Sequence, residues 1–210
     1  MSRGRPEHVE GAPGALLVII SGPSGVGKDT ILRRLREHHP NDRRQYVVTY
    51  KTRARRPGET DGVDYHFVSE PEFERLMAAG AFLETALVHG HWSGTPRDQV
   101  VEALTTGRDA ILKIDVQGAR AIRELVPHSL LIFVAPPSME ALDGRLRGRA
   151  TETADELARR QQDAALELAR QGDYDHVVVN ETGQVARTAA RIDELIAAEH
   201  ARHPDRRIVV

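Results

Sequence analysis

Residues 15–30 read Ala-Leu-Leu-Val-Ile-Ile-Ser-Gly-Pro-Ser-Gly-Val-Gly-Lys-Asp-Thr, an apolar run that leads into a glycine-rich turn. A short, fully apolar run such as Ala15–Ile20 is typical of a buried strand in a parallel sheet. The turn fits G-x-x-x-x-G-K, and the segment behind it, Thr30–His38, has apolar residues on one helical face. Strand, turn and helix in this order predict a P-loop that binds the phosphates of a nucleoside triphosphate through backbone N–H groups. The alternative is a glycine-rich turn that binds no ligand.

The predicted P-loop contains one unusual residue. The position after the lysine is normally Ser or Thr, whose hydroxyl ligates Mg²⁺, whereas here it is Asp29. A carboxylate is also a hard oxygen ligand, so Asp29 is a candidate Mg²⁺ ligand, directly or through a water. The alternative is an Asp that the helix macrodipole favours at a helix start. The residues expected to contact the triphosphate are Gly22, Pro23, Ser24, Gly25, Val26, Gly27, Lys28, Asp29 and Thr30.

Apolar runs alternate with helical patterns along most of the chain. Further buried strands are predicted at Ala110–Ile114, Leu130–Val134 and Val177–Val179. Helices that follow or separate the strands are predicted at Arg97–Thr105, Ala119–Leu125, Ser138–Arg147, Asp155–Arg170 and Val185–His200. This alternation requires crossover connections, so the expected fold class is α/β, a P-loop kinase fold with a parallel sheet flanked by helices.

One region interrupts the alternation. Three short strands and one helix are predicted there: Gln45–Thr49, Tyr65–Val68, Phe82–Val88 and the helix Glu70–Ala79. We interpret residues 45–95 as an inserted, partly antiparallel subdomain, and the arginine-rich residues 145–160 as a second mobile lid. The whole forms one domain over residues 15–200, and residues 1–14 and 201–210 are expected to be flexible tails.

Composition narrows the function classes. The 210 residues carry a formal net charge of -2 from 29 basic and 31 acidic residues, a balance that gives no support for a nucleic-acid partner. The absence of cysteine excludes disulfides and thiolate metal sites. No apolar run approaches the roughly 20 residues that a membrane span needs. We therefore expect a cytoplasmic protein without membrane contact, and a monomer and a homo-oligomer both fit the sequence.

A second cluster of charge follows the P-loop helix. Tyr50–Glu59 contains four cations, and Pro57-Gly58 keeps the segment out of a helix. Arginine pairs suit bidentate capture of a phosphate, and Tyr65 in the following strand adds a phenol able to donate to the same group. The alternative is a solvated basic loop.

Further motifs continue in order along the chain. They are Arg53-Ala-Arg-Arg56-Pro-Gly58-Glu59 with Gly62, Tyr65 and Phe67; Phe82-Leu-Glu84 with Gly90, Gly94 and Thr95; Ile114-Asp115-Val-Gln117-Gly118; Ala135-Pro-Pro-Ser138; Arg145-Leu-Arg-Gly-Arg149; and Val178-Val-Asn180. From Ala15 to His200 the chain therefore resembles the guanylate kinases, which transfer a phosphate from ATP to GMP. Several spaced motifs in the right order are more specific than a P-loop alone.

The resemblance implies an acceptor site for GMP. Its expected residues are Arg53, Arg56 and Tyr65 for the phosphate and Thr49, Glu84 and Thr95 for the guanine. The Glu84 carboxylate accepts from guanine N1–H and N2–H₂ together, whereas adenine lacks this donor pair and leaves the carboxylate unpaired at a cost of about 1–3 kcal/mol. Asp115 is expected to orient GMP or to hold Mg²⁺-bound water, or else to cap the following helix, Gln117–Leu125.

The resemblance also implies a donor site for ATP. Arg145, Arg149 and Asn180 are expected to contact ATP beside the P-loop. Lys28, Arg149 and Arg160, together with Mg²⁺, are expected to surround the transferred phosphoryl group with positive charge, because this reaction needs alignment and cations above all. The alternative for these arginines is an ordinary place on an exposed helix.

Besides Asp29, three residues around the acceptor site depart from the family pattern. Lys51 replaces the first Thr of Thr-Thr-Arg, and Ser93 stands where a second phosphate-binding Tyr is common. The hydrogen bond of that Tyr is therefore either weakened or supplied by Lys51. Lys113 replaces the first Asp of Asp-Ile-Asp, as a counter-ion or as a solvent-facing side chain.

Two other functions fit parts of the pattern. Kinases of ribose phosphates resemble this fold and carry Gly-Lys-Asp in the P-loop, but Glu84 and the Arg53–Arg56 pair favour an acceptor that has a base. Non-catalytic guanylate-kinase-like binding modules usually lack a working P-loop, whereas Lys28 and its glycines are present. We therefore expect an enzyme that phosphorylates GMP and dGMP with ATP and Mg²⁺.

Overall fold

The computed structural model describes residues 8–38, 43–147 and 154–210, apart from the side chains of residue 147 and residues 154–160. The strands within those ranges are β1 (Leu17–Ser21), β2 (Arg44–Tyr46), β3 (Tyr50–Lys51), β4 (His66–Phe67), β5 (Phe82–Val88), β6 (His91–Pro96), β7 (Asp109–Lys113), β8 (Leu130–Ala135) and β9 (His176–Val179). The α-helices are α1 (Lys28–His38), α2 (Glu70–Ala78), α3 (Arg97–Thr105), α4 (Val116–Leu125), α5 (Met139–Arg147), α6 (Ala154–Leu168) and α7 (Val185–Arg202). Over the described residues, no helix combines the length and the apolar composition that crossing a membrane requires.

Five strands form one parallel sheet in the order β2-β7-β1-β8-β9. The central strand is β1, in which Val18 pairs with Ile111 of β7 on one side and with Leu130 of β8 on the other. All residues of β1 are buried because helices cover both faces of the sheet. The predicted α/β fold, with a parallel sheet flanked by helices, is confirmed.

The two faces of this sheet have separate apolar cores. On one face Val18 and Ile20 pack with α1, α5 and α7, and on the other face Leu17 and Ile19 pack with α3 and α4. Successive residues of a strand point to opposite faces, so β1 holds both layers at once. This double burial fixes the position of Ser21, and with it the start of the loop that follows.

The inserted region forms a second sheet in the order β4-β3-β6-β5. Its strand β3 runs parallel to β4 and antiparallel to β6, and β5 runs antiparallel to β6. Helix α2 contributes the buried Phe73, whose ring stacks on Phe82 with the centroids 4.6 Å apart. Gly94 passes beneath these rings, since a Cβ there would come within 2.8 Å of Phe82 Cδ1. One face of the small sheet is thus packed on α2, and the other faces the cleft beside the P-loop.

The boundary of the insert differs from the prediction. Gln45–Thr49 is predicted as a strand of the insert, whereas Arg44–Tyr46 is the edge strand of the main sheet and pairs with β7. The strand β6 has no signal in the sequence because Gly94 and Pro96 have low β-propensity. Its pairing with both β3 and β5 outweighs that local preference.

Both chain ends differ from the expected flexible tails over the residues that the structure describes. Val9 N donates to Val210 O at 2.8 Å, and Val210 N donates to Val9 O at 3.0 Å. Gly11 N donates to Ile208 O at 2.8 Å. Ile208 and Val210 are buried in the core that α3 and α4 share. The alternation of Ile208 and Val210 therefore gives a short paired segment where composition predicts a tail.

Asp109 of β7 contacts the residue before β1 and a residue of α7, and its replacement tests how these segments are held together. Its Oδ1 accepts from Leu16 N at 3.0 Å, and its Oδ2 lies 2.9 Å from His200 Nε2 of α7. Asp109→Ala leaves the buried Leu16 N–H without its partner, so we expect the free energy of unfolding to fall by about 2 kcal/mol. Urea denaturation measures this, with the exposed Asp205→Ala as a control expected to stay within about 0.5 kcal/mol of the parent. Equal stability of the two variants would contradict the assignment.

Candidate active site

Three glycines in the left-handed region shape the loop between β1 and α1. Gly22, Gly25 and Gly27 have φ angles of 139°, 86° and 103°, which residues with a Cβ rarely adopt. A Cβ on Gly22 would lie 2.2 Å from Val134 O, so the loop packs directly on the end of β8. Lys28 folds back across the loop and donates from Nζ to the Gly22 carbonyl. The loop therefore has the wrapped backbone that a phosphate cradle needs.

Two residues predicted to contact ATP hold the P-loop from behind. Asn180 Nδ2 donates to Val26 O at 2.8 Å, and Arg145 Nη1 donates to the same oxygen at 3.1 Å. Thr188 Oγ1 donates to Asn180 Oδ1 at 3.0 Å, which fixes the amide. A Cβ on Gly27 would lie 2.7 Å from Asn180 Nδ2. The position of Asn180 is thus a supporting one, and contact of Asn180 or Arg145 with ATP stays a prediction.

Asp29 is the centre of a charged cluster at the start of α1. Lys113 at the end of β7 forms an ion pair with Asp29 Oδ1, and Tyr65 Oη donates to the same oxygen at 3.1 Å. Lys113 Nζ also lies 3.9 Å from the centre of the Tyr65 ring. Burial raises the pKa of Asp29, but Lys113 and Lys28 outweigh burial and hold this pKa at about 2. Asp29 is therefore ionised at neutral pH, as a Mg²⁺ ligand must be.

The basic segment after β3 is arranged around Glu59. Arg53 forms a two-armed ion pair with this carboxylate, with Nη1 2.8 Å from Oε2 and Nη2 2.6 Å from Oε1. The backbone N–H of Arg56 donates to Glu59 Oε2 at 2.9 Å. Arg53 Cζ lies 5.2 Å from the centre of the Tyr65 ring, a distance at which a guanidinium is attracted to the ring. Glu59 thus orders the turn from which Arg53 and Arg56 reach the cleft.

Three buried polar residues, Thr49, Thr95 and Glu84, form a row across the cleft face of the small sheet, here called the polar row. Thr95 of β6 pairs with Glu84 of β5, and the register of β3 places Thr49 on the other side of Thr95. Thr95 Oγ1 donates to Glu84 Oε1 at 2.6 Å. Within the described part of the chain, Glu84 Oε2 and Thr49 Oγ1 have no hydrogen-bond partner. Buried polar atoms are normally paired, so these two indicate a ligand that brings its own hydrogen-bonding groups.

The carboxyl of Glu84 has a strongly shifted pKa. Burial raises this pKa to about 7; the hydrogen bond from Thr95 opposes the shift, and the charge of Asp115 adds to it. At neutral pH the free protein therefore holds Glu84 partly protonated. A ligand that donates hydrogen bonds to Glu84 would stabilise its ionised form.

Asp115 follows β7 and is the N-cap of α4. Its Oδ1 accepts from Gln117 N at 2.9 Å and from Gly118 N at 3.0 Å, so the helix-capping alternative is confirmed. These bonds use one carboxylate oxygen, which leaves Oδ2 for a ligand in the cleft that Asp115 lines. Gly118 brings α4 close to the polar row, since a Cβ there would lie 2.9 Å from Glu84 Oε2.

Glu167 near the end of α6 is bound to the P-loop. Its Oε2 accepts from Ser24 N at 3.2 Å, and so takes a backbone N–H that a P-loop offers to phosphate. Burial lowers the pKa of Lys28, and the nearby charge of Glu167 opposes that shift. Asp163, one turn earlier on α6, lies 3.0 Å from His89 Nδ1 in the turn between β5 and β6. The helix α6 thus spans the cleft from the P-loop to the small sheet.

Most of the predicted site residues meet in one cleft between the P-loop and the small sheet. Those that line it are Gly22, Ser24, Gly25, Val26, Gly27, Lys28, Asp29, Arg53, Arg56, Tyr65 and Asp115. The polar row and Asn180 are buried outside this lining, and Pro23 and Thr30 are also outside it. Arg149 lies outside the described residues, and Arg160 belongs to α6 with its side chain outside the description. The cleft volume is about 150 Å³.

Sequence reasoning gives no role to Glu59 or Glu167. The signal for Glu59 is local, because it follows the arginines in a Gly-Glu pair. Glu167 lies 143 residues from Ser24 on an amphipathic helix, and nothing near it in the sequence marks the contact. Lys113, predicted as a counter-ion or a solvent-facing residue, is the counter-ion of Asp29.

Comparisons with known proteins point to one family. A sequence model of the guanylate kinase family matches residues 15–199. The chain is 49% identical to the guanylate kinase of Symbiobacterium thermophilum over 191 residues, which cover 90% of this chain and 88% of the relative. It is 49% identical to the guanylate kinase of Mycobacterium tuberculosis over 181 residues, 85% of this chain and 84% of the relative. The crystal structure of guanylate kinase from Anaplasma phagocytophilum covers 90% of this chain and 87% of its own, with a TM-score of 0.72 and 33% identity.

The contact between Glu167 and Ser24 N predicts competition with a bound triphosphate. The carboxylate must leave before a phosphate oxygen takes this N–H, and its charge repels phosphate. We expect Glu167→Gln to lower the dissociation constant of ATP about fivefold, or about 1 kcal/mol, as measured by isothermal titration calorimetry. Glu181→Gln removes an exposed carboxylate outside the cleft and should leave ATP binding unchanged. Unchanged or weaker ATP binding in Glu167→Gln would contradict the competition.

Proposed function

The chain belongs to the guanylate kinase family and phosphorylates GMP with ATP, and we propose that it does so in the cleft between the P-loop and the small sheet. The observation that carries this proposal is the polar row, where Glu84 Oε2 and Thr49 Oγ1 are buried without a partner among the described residues. The polar row is proposed to contact the base, and the cations of the cleft are proposed to contact the phosphate. Since neither contact involves the ribose, dGMP is proposed as a second acceptor.

The polar row supports a preference for guanine. Guanine presents N1–H and N2–H₂ side by side, and the ionised Glu84 carboxylate accepts from both. Thr95 already binds Glu84 Oε1, so the base meets a carboxylate whose orientation is set. Adenine has no matching pair of donors and would leave Glu84 Oε2 unpaired, at a cost of about 1–3 kcal/mol. This difference is proposed to set the preference for GMP over AMP.

The basic side of the cleft is proposed to hold the phosphate of GMP. The ion pair with Glu59 fixes the orientation of the Arg53 guanidinium, and Arg56 and Tyr65 line the same space. A guanidinium matches a phosphate with two parallel N–H donors. Tyr65 Oη has to exchange Asp29 for a phosphate oxygen, and this exchange brings the bound GMP next to the start of α1.

The P-loop is proposed to hold the phosphates of ATP. Lys28 turns from the loop carbonyl to the β- and γ-phosphates, and Glu167 releases Ser24 N. Phosphoryl transfer requires donor and acceptor in line and positive charge around the transferred group. Lys28 supplies part of that charge from within the described structure. The contributions of Arg149 and Arg160 rest on the family resemblance.

Mg²⁺ is proposed as the cofactor, with Asp29 and Asp115 as the carboxylates that fit it. The described residues contain no group of three or more potential metal ligands, but Mg²⁺ usually takes one or two carboxylates together with phosphate oxygens and waters. Asp29 is ionised, and the helix cap of Asp115 uses Oδ1. Held by these two carboxylates, Mg²⁺ would supply positive charge that offsets the charge of the phosphates.

Turnover of different phosphate acceptors tests the proposed function. A coupled assay of ADP release should show turnover with GMP and dGMP, and a kcat/KM for AMP that is lower by roughly 100-fold or more. Equal turnover of GMP and AMP would overturn the guanine preference. Preference for a ribose phosphate would identify the other class of kinase, and no ADP release with any acceptor would indicate a binding module.

Glu84 gives a pH-dependent test of guanine recognition. Only the carboxylate accepts from both guanine donors, and the pKa of Glu84 in the free protein is about 7. The kcat/KM for GMP should therefore fall below about pH 7, by up to about tenfold per pH unit. Glu84→Gln should lower kcat/KM for GMP at about pH 8 by roughly 100-fold and remove this fall.

Titration of the phosphate group of GMP also affects this pH profile and has to be distinguished from that of Glu84. A phosphate monoester titrates near about pH 6, so any fall that remains in Glu84→Gln should begin about one pH unit lower than in the parent. A parent profile that is flat between about pH 6 and 8 would contradict the role of Glu84.

Asp29 gives a test of the metal site. Asp29→Ala removes a ligand, so the Mg²⁺ concentration for half-maximal activity should rise about tenfold or more, measured by titration of Mg²⁺ at saturating ATP and GMP. Lys113→Met is the control, because it breaks the same ion pair but keeps the carboxylate, and it should not raise the Mg²⁺ requirement. An unchanged Mg²⁺ dependence in Asp29→Ala would show that Asp29 is not a ligand.

A further inference from the structure

Lys51 on β3 is a partly buried ammonium group whose hydrogen bond goes to a neutral partner. Its Nζ donates to Ser93 Oγ of β6 at 2.8 Å. Among the residues that the structure describes, no carboxylate forms an ion pair with Lys51. Removal of an ammonium group from water without a counter-ion is unfavourable, so the position indicates an anion that is bound there at some stage.

The other lysines of the chain have partners. The chain has three lysines, and all three line the cleft. Lys28 donates to P-loop carbonyls, and Lys113 is paired with Asp29. Lys51 therefore differs from both, because its hydrogen bond neither supports the P-loop backbone nor neutralises a carboxylate. This difference leaves its charge for a ligand.

The position of Lys51 fits the phosphate side of the acceptor site. Lys51 is two residues from Thr49, and Ser93 is two residues from Thr95, so this pair lies on the same face of the sheet as the polar row, about 7 Å further along. Lys51 Nζ lies 5.5 Å from the centre of the Tyr65 ring. Lys51 thus stands between the polar row and the space that Tyr65 lines.

We propose that Lys51, oriented by Ser93, binds the phosphate of GMP together with Arg53 and Arg56. This assignment rests on the proposed function. In the family pattern, position 93 is commonly a Tyr whose hydroxyl reaches the phosphate. Ser93 is too short for that reach, and its hydroxyl instead fixes the longer Lys51 side chain. The Lys51 ammonium group, a charged donor, thereby replaces the neutral Tyr hydroxyl of the family pattern.

The guanine base is the alternative ligand for Lys51. Lysine also donates to O6 and N7 of guanine, and Lys51 lies close enough to the polar row for Glu84 to act on its charge. The phosphate is favoured because Lys51 shares the Tyr65 ring with Arg53. A comparison of GMP with guanosine separates the two ligands, since they differ only in the phosphate.

Binding of GMP and guanosine to two variants tests the assignment by calorimetry. Lys51→Met keeps the length of the side chain and removes the charge, so it should weaken GMP binding about tenfold or more while guanosine and ATP binding stay within about twofold. Lys51→Arg keeps the charge and should bind GMP within about threefold of the parent. Unchanged GMP affinity in Lys51→Met would overturn the proposal. An equal loss for GMP and guanosine would also overturn it, and would assign Lys51 to the base.

The pH dependence of GMP binding is a second readout. Burial lowers the pKa of Lys51 to about 8; Asp115 and Glu84 attract its charge, and Arg53 and Lys113 repel it. GMP affinity should be highest between about pH 7, where Glu84 is ionised, and about pH 8, and should fall above about pH 8, because only the protonated amine of Lys51 attracts phosphate. Lys51→Arg should remove this fall, since a guanidinium stays charged. The same fall in Lys51→Arg would count against Lys51.

Labelling of the unaltered protein avoids any effect of substitution on folding. An amine-reactive reagent attacks the neutral form of a lysine, which Lys51 reaches at a lower pH than an exposed lysine does. Mass spectrometry should show that GMP protects Lys51 and that guanosine does not. Equal protection by both would overturn the phosphate contact. If the unaltered protein does not phosphorylate GMP, the proposed function fails; if it does and Lys51→Met equals it, only this assignment fails.

Discussion

The close approach of the P-loop to the end of β8 is the constraint on which the site depends. Gly22 lies so near the Val134 carbonyl that even a methyl group would lift the loop from the sheet. On its other side the loop is held through the Val26 carbonyl, which accepts from both Arg145 and Asn180. Since both faces of β1 are buried, the loop cannot shift without loss of core packing. The backbone N–H groups are therefore positioned for phosphate before any ligand arrives, which reduces the ordering cost of binding.

Several charged side chains of the cleft are paired with other groups of the protein. Asp29 is paired with Lys113, Arg53 with Glu59, and the Glu167 carboxylate with a P-loop N–H. Each pair keeps a side chain ordered, and the contact of Glu167 with Ser24 N has to open before a phosphate oxygen takes that N–H. If a triphosphate binds there, α6 loses this contact with the P-loop, because Glu167 belongs to that helix.

The parts of this site that the sequence predicts are those set by local pattern. The apolar run of β1 and the glycines behind it define the P-loop, and the cleft position of Arg53, Arg56 and Tyr65 follows from spaced motifs. What the sequence alone does not predict depends on contacts between distant segments. The strand β6 is stabilised by two neighbouring strands rather than by its own residues, and Glu167 meets Ser24 across 143 residues. Asn180 lies behind the P-loop because Thr188 on α7 fixes its amide, which no pattern around Asn180 predicts.

The residues that depart from the family pattern contact each other in two pairs, Asp29 with Lys113 and Lys51 with Ser93. An Asp at position 29 alone would add negative charge beside a triphosphate, and a Lys at position 113 alone would be a cation without a counter-ion. Together they form an ion pair, which is one charge unit more positive than the hydroxyl and carboxylate of the pattern. Lys51 and Ser93 likewise contact each other and are one unit more positive than a Thr and a Tyr. Both pairs of replacements make the electrostatic potential of the cleft more positive, which favours the approach of two negatively charged nucleotides. Each change of charge is therefore accompanied by a second departure in contact with it, and neither departure indicates a lost activity.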